Sequence, residues 1–288
     1  MKLRYTLGLG LILVGLVQVA MTLDFPKRIQ AGSAFSLPTS GNGKAVLYIA
    51  GPAQVLRRNV RLGENIGFSS GELHNAGHLV AILVGPSSSE QAQFDVVPAP
   101  QPATMSFLAK PSRLPVDLHD GISGVVYVFD IFRNLIVDPL QVSFQLSGVQ
   151  GSVPSHVMQT HDGVAWVKLY SPSKAGAAQF QATVGNVTDA RVIQLVPGDP
   201  CNLRMSARQS GQRIELQTDP VRDCSGNSVP DGTIVSFTET YDGDQATVDV
   251  PLKRGVARTD VPAHDGAVIS VATGVVMGNE IRWGAGQR

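Results

Sequence analysis

Short segments in which apolar and polar side chains alternate recur along most of this chain. The longest covers seven residues, Leu140-Gln141-Val142-Ser143-Phe144-Gln145-Leu146, and residues 180–184, 214–217 and 247–250 show similar patterns. Successive side chains of a β-strand point to opposite faces, so alternation predicts a strand with one face in a core and the other in water. After residue 23 the sequence contains no amphipathic helical pattern of comparable length. The pattern predicts an all-β protein.

The chain also repeats itself. An Asp and an Asn four residues apart occur at Asp130 and Asn134 and again, 93 residues later, at Asp223 and Asn227. Ten residues after each Asn comes a Phe, and Gly163-Val164-Ala165 returns as Gly255-Val256-Ala257. Residues 75–85 parallel residues 174–185, which brings the first part of the chain into the series. A fixed period of this length indicates tandem copies of one domain.

We therefore predict three domains, at residues 24–98, 103–197 and 198–288. Proline-rich segments join them, at residues 98–102 and 197–200, and repeated Pro makes such joints semi-rigid. Units of this size, built from short alternating strands, are typical of tandem immunoglobulin-like (Ig-like) antiparallel β-sandwiches, in which a second sheet covers the apolar face of the first. The Cys, Trp, Cys spacing of antibody domains is absent from the sequence.

Residues 223–237 resemble the central signature of the bacterial Ig-like domains of the intimin and invasin type. The segment reads Asp223-Cys224-Ser225-Gly226-Asn227-Ser228-Val229-Pro230-Asp231-Gly232-Thr233-Ile234-Val235-Ser236-Phe237. The second unit departs from the signature, with Arg133 in place of the Gly before Asn134, and the first unit retains only the closing strands. The resemblance implies an Ig-like sandwich displayed beyond the inner membrane. It implies no receptor, because 288 residues leave no room for the outer-membrane barrel and terminal lectin-like domain of those adhesins.

The first 23 residues predict a targeting segment. Lys2 and Arg4 precede an apolar run at residues 7–20, as in a secretory signal. Cleavage after Ala20 or after Thr22 gives no clean small-residue site, and the run up to Leu23 approaches the length that spans a bilayer. Residues 1–23 are therefore either a cleaved signal peptide or an uncleaved N-terminal membrane anchor, and we expect membrane contact only through them if they remain.

Composition narrows the function classes. Lys plus Arg and Asp plus Glu both number 23 and the sequence pI is about 7.0, so no overall field attracts nucleic acid, and we expect no nucleic-acid partner. Hydrophobic residues make up 43% of the chain, which argues against disorder.

The two cysteines, Cys201 and Cys224, either form a disulfide in an oxidising compartment or remain free thiols. Their spacing matches no metal or redox motif.

Several motifs suggest chemistry, but each has a simpler interpretation. Gly67-Phe68-Ser69-Ser70-Gly71 matches the nucleophile elbow of α/β hydrolases, yet no strand and helix alternation surrounds Ser69, so a turn is favoured. His-Asp-Gly occurs at residues 119–121, 161–163 and 264–266, where Asp-Gly is a hairpin-turn dipeptide.

His74 and His78 have a zinc-like spacing, but Gly77 opens an apparent strand. Asp242, Asp244 and Asp249 offer oxygen ligands for calcium, and a solvated acidic turn is the simpler interpretation. We predict no catalytic, cofactor-binding or metal residue.

Trp166 and Tyr170 alternate with Val167 and Leu169, so aromatic side chains occupy one face of the predicted strand and aliphatic side chains the other. Such a Trp is usually part of a core. If it faces outward, Trp166 and Tyr170 form the best candidate contact patch.

Together these observations predict an exported, non-catalytic binding, adhesion or spacer module of the cell envelope. Its location would be the periplasm, the outer surface or the medium, or the inner membrane if the anchor remains. Its partners would be proteins or surface glycans. The alternative is a membrane-anchored accessory subunit of a secretion or pilus system, and a hydrolase using Ser69 or a His-Asp pair is the third class.

Overall fold

The structure is a computed structural model that describes residues 21–148, 151–152 and 154–284. Every regular element in these residues is a β-strand, so the all-β prediction is confirmed. The predicted targeting segment, residues 1–23, lies outside the described residues apart from Met21, Thr22 and Leu23. Within the described part of the chain, no helix is both long and apolar enough to cross a membrane.

The chain divides into two compact units. The first contains the residues up to Gln101 together with Phe129–Ile136, and the second contains Pro102–Val128 and Val137–Arg288. The domain limits predicted from the repeats, 24–98, 103–197 and 198–288, remain predictions. Below, the three groups of strands that build sandwich layers are called the first, second and third sandwich.

The first sandwich contains seven strands: β1 (Arg28–Gln30), β2 (Phe35–Leu37), β3 (Gly43–Ala50), β4 (Val55–Leu62), β5 (Ile66–Phe68), β6 (Gly77–Val84) and β7 (Ser89–Val97). One sheet has the order β1-β7-β6-β3-β4, and β2 pairs with β5 in the other. All pairs are antiparallel except β1 with β7. The small second sheet leaves much of β4 uncovered, and seven of its eight residues have alternating exposed and half-buried side chains.

The core of the first sandwich collects side chains from both sheets, including Leu37, Leu47 and Phe68. The rings of Phe35 and Phe68 stack with centroids 4.4 Å apart. Met21 is buried in this core, and Thr22 donates its backbone N–H to Ser40 Oγ at 3.0 Å. Residues 21–23, which belong to the predicted targeting segment, thus pack against the first sandwich.

The second sandwich contains nine strands: β8 (Thr104–Lys110), β9 (Arg113–Pro115), β10 (Ile122–Phe129), β11 (Gln141–Gly148), β12 (Gly151–Ser152), β13 (His156–Gln159), β14 (Val164–Leu169), β15 (Gly176–Val184) and β16 (Val187–Val196). One sheet has the order β14-β10-β8, and the other has the order β12-β11-β15-β16-β9 with β13 also paired to β11. Phe107, Phe144 and Phe180 are fully buried, with ring centroids 5.1 to 6.2 Å apart. The predicted alternation at 140–146 thus places Phe144 in the core.

The third sandwich contains β17 (Pro200–Cys201), β18 (Met205–Ser210), β19 (Arg213–Thr218), β20 (Arg222–Asp223), β21 (Ile234–Tyr241), β22 (Asp244–Pro251), β23 (Arg258–Pro262), β24 (Val268–Thr273) and β25 (Val276–Arg282). Its sheets have the orders β18-β19-β23 and β22-β21-β24-β25, with a short β17-β20 pair. The core includes Ile214, Phe237 and Trp283. Phe144 and Phe237, which the repeat aligns, are both fully buried.

One predicted strand has no buried face. Alternation at residues 247–250 predicts a half-buried strand, but Asp244 to Asp249 of β22 are all exposed and only Val250 is partly buried. The physical reason is that β22 is an edge strand of a four-stranded sheet. The facing sheet, β18-β19-β23, has only three strands and is too narrow to cover it. Local alternation reports which side chains share a face, and the neighbouring sheet decides whether that face is covered.

Candidate binding surfaces

Trp166 lies on an exposed sheet face. On β14, Ala165, Val167 and Leu169 point into the core, and Trp166 points outward with 61% of its surface exposed. Its partner across the strand pair is Val125 of β10. Because directly opposed residues share a face, these two side chains lie side by side on the outer surface.

Apolar side chains extend this face on both sides. Tyr127 lies opposite Val164 in the next row of the β10–β14 pair, and both are partly buried. On β8, which borders the other side of β10, Phe107 is buried and the adjacent Leu108 is 52% exposed, so Leu108 also points outward. We call Trp166, Val125, Tyr127, Val164 and Leu108 the Trp166 face. An exposed apolar cluster around a Trp is typical of protein interaction surfaces.

Tyr170, the other member of the predicted patch, has a more local environment. It is 51% exposed, and its hydroxyl donates to Asp117 Oδ1 at 3.2 Å. Desolvation, followed by this hydrogen bond and the negative charge of Asp117, raises the pKa of Tyr170 above its ordinary value. Asp117 also accepts a hydrogen bond from the hydroxyl of Ser225 in the third sandwich. The Tyr170 hydroxyl is therefore committed to a contact inside the second compact unit.

The repeated Asp and Asn form a hydrogen-bonded joint inside the second compact unit. Asp223 is buried, and its carboxylate accepts the backbone N–H groups of Gly198 at 2.9 Å and Ser225 at 3.0 Å. It also accepts both the backbone and the side-chain N–H of Asn227, at 2.7 and 2.8 Å. Asn227 continues the network, because its Oδ1 accepts the N–H of Ala175 at 3.0 Å and its Nδ2 donates to the preceding turn of the second sandwich.

The same network occurs in the first compact unit. Asp130 accepts from the N–H of Ala99 at 2.9 Å and from the backbone and side chain of Asn134 at 2.8 and 2.9 Å. Asn134 accepts from Ala76 at 2.9 Å and donates to the His74 carbonyl at 2.7 Å. The Asp and Asn repeat and the parallel between residues 75–85 and 174–185, each of which contains an Ala-Gly pair, are visible separately in the sequence, but neither predicts this role. The Asn of each copy bonds the Ala of the corresponding Ala-Gly pair, but the offsets differ, 93 residues for the Asn and 99 for the Ala, so no common period in the sequence signals the contact.

The Gly position of the signature also has a structural reason. Gly226 adopts φ +79°, and Arg133 occupies the same place in the second copy with φ +67°. The left-handed conformation is therefore kept in both copies, although an L-residue there costs about 1–2 kcal/mol.

Ser69 follows β5 and precedes a turn. Its N–H is bonded to the Glu72 carboxylate at 2.9 Å, and no helix follows it among the described residues. The strand-to-helix elbow that exposes a hydrolase nucleophile is therefore absent at this position.

The three His-Asp-Gly triplets lie in separate turns. Asp162 and Gly163 both have positive φ, at +49° and +81°, and His161 and Val164 exchange backbone hydrogen bonds around them. Asp120 and Gly266 also have positive φ in their turns. This is the conformation that Asp-Gly readily supplies in tight turns.

The remaining candidate ligands do not converge. His78 Nδ1 lies 2.9 Å from Asp95 Oδ1, while His74 Nδ1 lies 2.9 Å from the Gly71 carbonyl oxygen. Asp249 accepts a hydrogen bond from the Ser236 hydroxyl at 2.6 Å. Across residues 21–148, 151–152 and 154–284, no three His, Cys, Asp or Glu side chains are grouped as a metal site would require.

Cys201 and Cys224 form a disulfide. Cys201 ends β17 and Cys224 directly follows β20, its partner strand. The bond therefore fastens the first strand of the third sandwich to the segment that contains Asp223.

No protein-family model matches the chain, and no curated protein matches it by sequence. Solved structures do match. The structure of FdeC, a broadly conserved Escherichia coli adhesin, has a TM-score of 0.57 and 15% sequence identity, covering 89% of this chain and 91% of FdeC. Invasin, a bacterial integrin-binding protein, gives a TM-score of 0.46 with 12% identity and covers 91% of this chain and 58% of invasin.

The chain folds as tandem Ig-like sandwiches. At 15% identity the likeness to FdeC concerns the fold alone, and at this level the predicted fold class and the resemblance to bacterial Ig-like domains are confirmed. Fold similarity does not transfer a ligand, because unrelated functions share such sandwiches. The function must be argued from the surfaces of these Ig-like domains.

Proposed function

We propose that this protein is an exported, non-catalytic binding module of the bacterial cell envelope, whose Ig-like domains contact a protein or surface glycan through the Trp166 face. The exposed position of Trp166 carries this proposal. A side chain of this size in water gains most when a partner covers it, and Trp is among the residues enriched at binding hot spots. The face lies on paired strands, so little ordering is required when a ligand binds.

Other features of the chain support a binding role. The candidate catalytic residues lie apart from one another in turns. The Asp and Asn residues and the two cysteines are used differently, because their hydrogen bonds and disulfide fix the backbone of their own segments. FdeC, with the same fold, is described as an adhesin.

Binding can be tested with the full-length chain in mild detergent, immobilised and exposed to solubilised envelope extract and to a panel of purified surface polysaccharides. A hot-spot Trp typically contributes 2 kcal/mol or more, so Trp166→Ala should weaken binding about 30-fold. Val192→Ala is the matched control, because Val192 is 68% exposed on the opposite sheet of the same sandwich. If the two variants retain ligand equally, the Trp166 face is not the binding surface.

The predicted export needs a separate test. Fractionation of cells producing a C-terminally tagged chain should yield a shortened form in the periplasm, on the surface or in the medium if residues 1–23 are cleaved. A full-length form that stays in the inner membrane would instead favour the accessory subunit of a secretion or pilus system. Tagged protein found only in the cytosol would contradict both.

A further inference from the structure

A second surface, on the first sandwich, carries basic side chains that have no acidic partners. Lys44 of β3 and Arg61 of β4 are directly opposite each other in the strand register. Arg57 lies on the same face of β4, opposite Tyr48, and its guanidinium is 6.0 Å from the Tyr48 ring centroid. No ion pair involves Lys44, Arg57 or Arg61 within the described residues. Like charges directly opposite on a sheet are destabilising, so an unpaired Lys44 and Arg61 favour an external anion.

The strand that carries two of these cations has a free edge. β4 is eight residues long, and within the part of the chain that the structure describes it pairs only with β3. Its other edge presents unpaired N–H and C=O groups over about 27 Å. A polypeptide can satisfy these groups by adding a strand, whereas a lipid headgroup or a free anion cannot supply a matching ladder.

A cleft of about 910 Å³ borders the β3–β4 hairpin at Lys44 and Arg61, the end away from the turn that connects the two strands. The charged side chains that line it are Lys44, Arg58, Arg61 and Glu64, three basic and one acidic, which leaves a net charge of +2. Arg58 is already engaged, because it pairs with Glu72 and its Nη1 donates to the Gly67 carbonyl. With Arg58 neutralised by Glu72, the remaining charges of the cleft are those of Lys44, Arg61 and Glu64, which leave a net charge of +1 supplied by Lys44 and Arg61.

We propose that the free edge of β4 binds an extended acidic segment of a partner protein as an added β-strand. Main-chain hydrogen bonds would supply affinity, and side chains of the added strand would supply specificity. Arg57 and Arg61 are four residues apart on one face, with Asn59 between them. Because side chains at positions i and i+4 of a strand share a face, the ligand carries carboxylates four residues apart, with the residue midway between them opposite Asn59. This site is in a different sandwich from the Trp166 face and does not depend on it.

The test uses fluorescein-labelled nine-residue peptides with β-branched residues at alternate positions. One has two Glu side chains four residues apart, a second has Gln at both places, and a third has the Glu pair but N-methylated amides along one edge. Fluorescence anisotropy with the full-length chain in mild detergent should show saturable binding of the first peptide. We expect binding at least tenfold weaker for the Gln peptide and no binding of the N-methylated peptide.

The protein variant is Arg57→Glu combined with Arg61→Glu, which should weaken binding of the Glu peptide at least tenfold. Lys253→Glu combined with Arg282→Glu is the control, since it changes the net charge equally at exposed positions of the third sandwich. Trp166→Ala should bind the peptide normally. Thermal unfolding by circular dichroism establishes that each variant is folded.

Any one of four results would overturn the proposal. Equal binding of the Glu and N-methylated peptides would show that no strand is added. Binding that falls equally in the two charge variants would show general attraction and not a site on β4. If the chain ignores every peptide but binds phosphatidylserine vesicles through Arg57 and Arg61, the surface faces a membrane. If the β4 variant only aggregates more, its cations protect the edge, as charged side chains do on many edge strands.

Discussion

Replacing Asp223 by Asn removes charge and acceptor capacity at the joint of the second compact unit with little change in volume. Oδ1 of Asp223 accepts from Ser225 and Asn227, and Oδ2 accepts from Gly198 and the Asn227 side chain. An amide NH₂ cannot accept, so whichever way the new side chain turns, two donors lose their acceptor. Each buried donor left without an acceptor costs about 1–3 kcal/mol, and we expect a total loss of about 3 kcal/mol.

Trp283 provides the assay. It is buried in the third core, while Trp166, the other tryptophan of the chain, is exposed, so a red shift of emission on unfolding reports mainly the third sandwich. In urea the midpoint for Asp223→Asn should fall by roughly 1 to 3 M, given the usual dependence of stability on urea for a domain of this size. Asp244→Asn, at the exposed start of β22, is the control. A midpoint for Asp223→Asn within error of this control would refute the reasoning.

The pH dependence of the stability difference between wild type and Asp223→Asn tests the same hydrogen bonds independently. Burial raises the pKa of Asp223, but the hydrogen bond from the Asn227 side chain and those from three backbone amides lower it, and the net pKa is below its ordinary value. A carboxyl with a lowered folded-state pKa stabilises the protein above its unfolded pKa, and this contribution is lost as the pH falls through the folded value. The difference between wild type and variant should be full at pH 7 and narrow below about pH 4. A difference that grows in acid would contradict this assignment.

Further changes probe the same sandwiches. Cys201→Ser with Cys224→Ser opens a loop of 23 residues and should cost about 3 kcal/mol in the Trp283 urea assay, and reductant should lower the wild-type midpoint similarly but leave the variant unchanged. Gly226→Ala meets no atom within 4 Å but forces a side chain into positive φ, so it should cost about 1 kcal/mol in that assay, and a neutral effect would show that this turn adapts. Gly124→Ala places a Cβ 2.7 Å from the Phe180 ring and should lower the melting temperature of the second sandwich by circular dichroism, corresponding to about 1–3 kcal/mol. An unchanged melting temperature would mean that the ring moves without cost.

Local patterns in the sequence were sufficient to identify several strands and to show which of their side chains share a face. Phe144 and Phe237, ten residues after each repeated Asn, both fill a core because alternation and the repeat place them on the inner face. Alternation at Trp166 likewise separated an aromatic from an aliphatic face. It could not decide which face was buried, because burial depends on the sheet packed against the strand.

The candidate surfaces depended on contacts between distant residues. Lys44 and Arg61 are 17 positions apart, and only the register of β3 and β4 places them opposite each other. The exposure of β22 likewise follows from the width of a facing sheet whose strands come from other parts of the chain. Neither property is encoded in a local period of the sequence.

The sequence by itself determined the class of this protein: the side-chain period of two predicts strands, and the period of about 93 residues predicts repeated sandwiches. Only the tertiary structure decided that Trp166 faces water, that Asp223 and Asn227 join two sandwiches, and that β4 presents an unpaired edge. The physical reason is the sequence separation over which each interaction acts. Alternation and turn chemistry act over a few neighbouring residues, whereas burial, pairing and charge compensation depend on which distant strands meet.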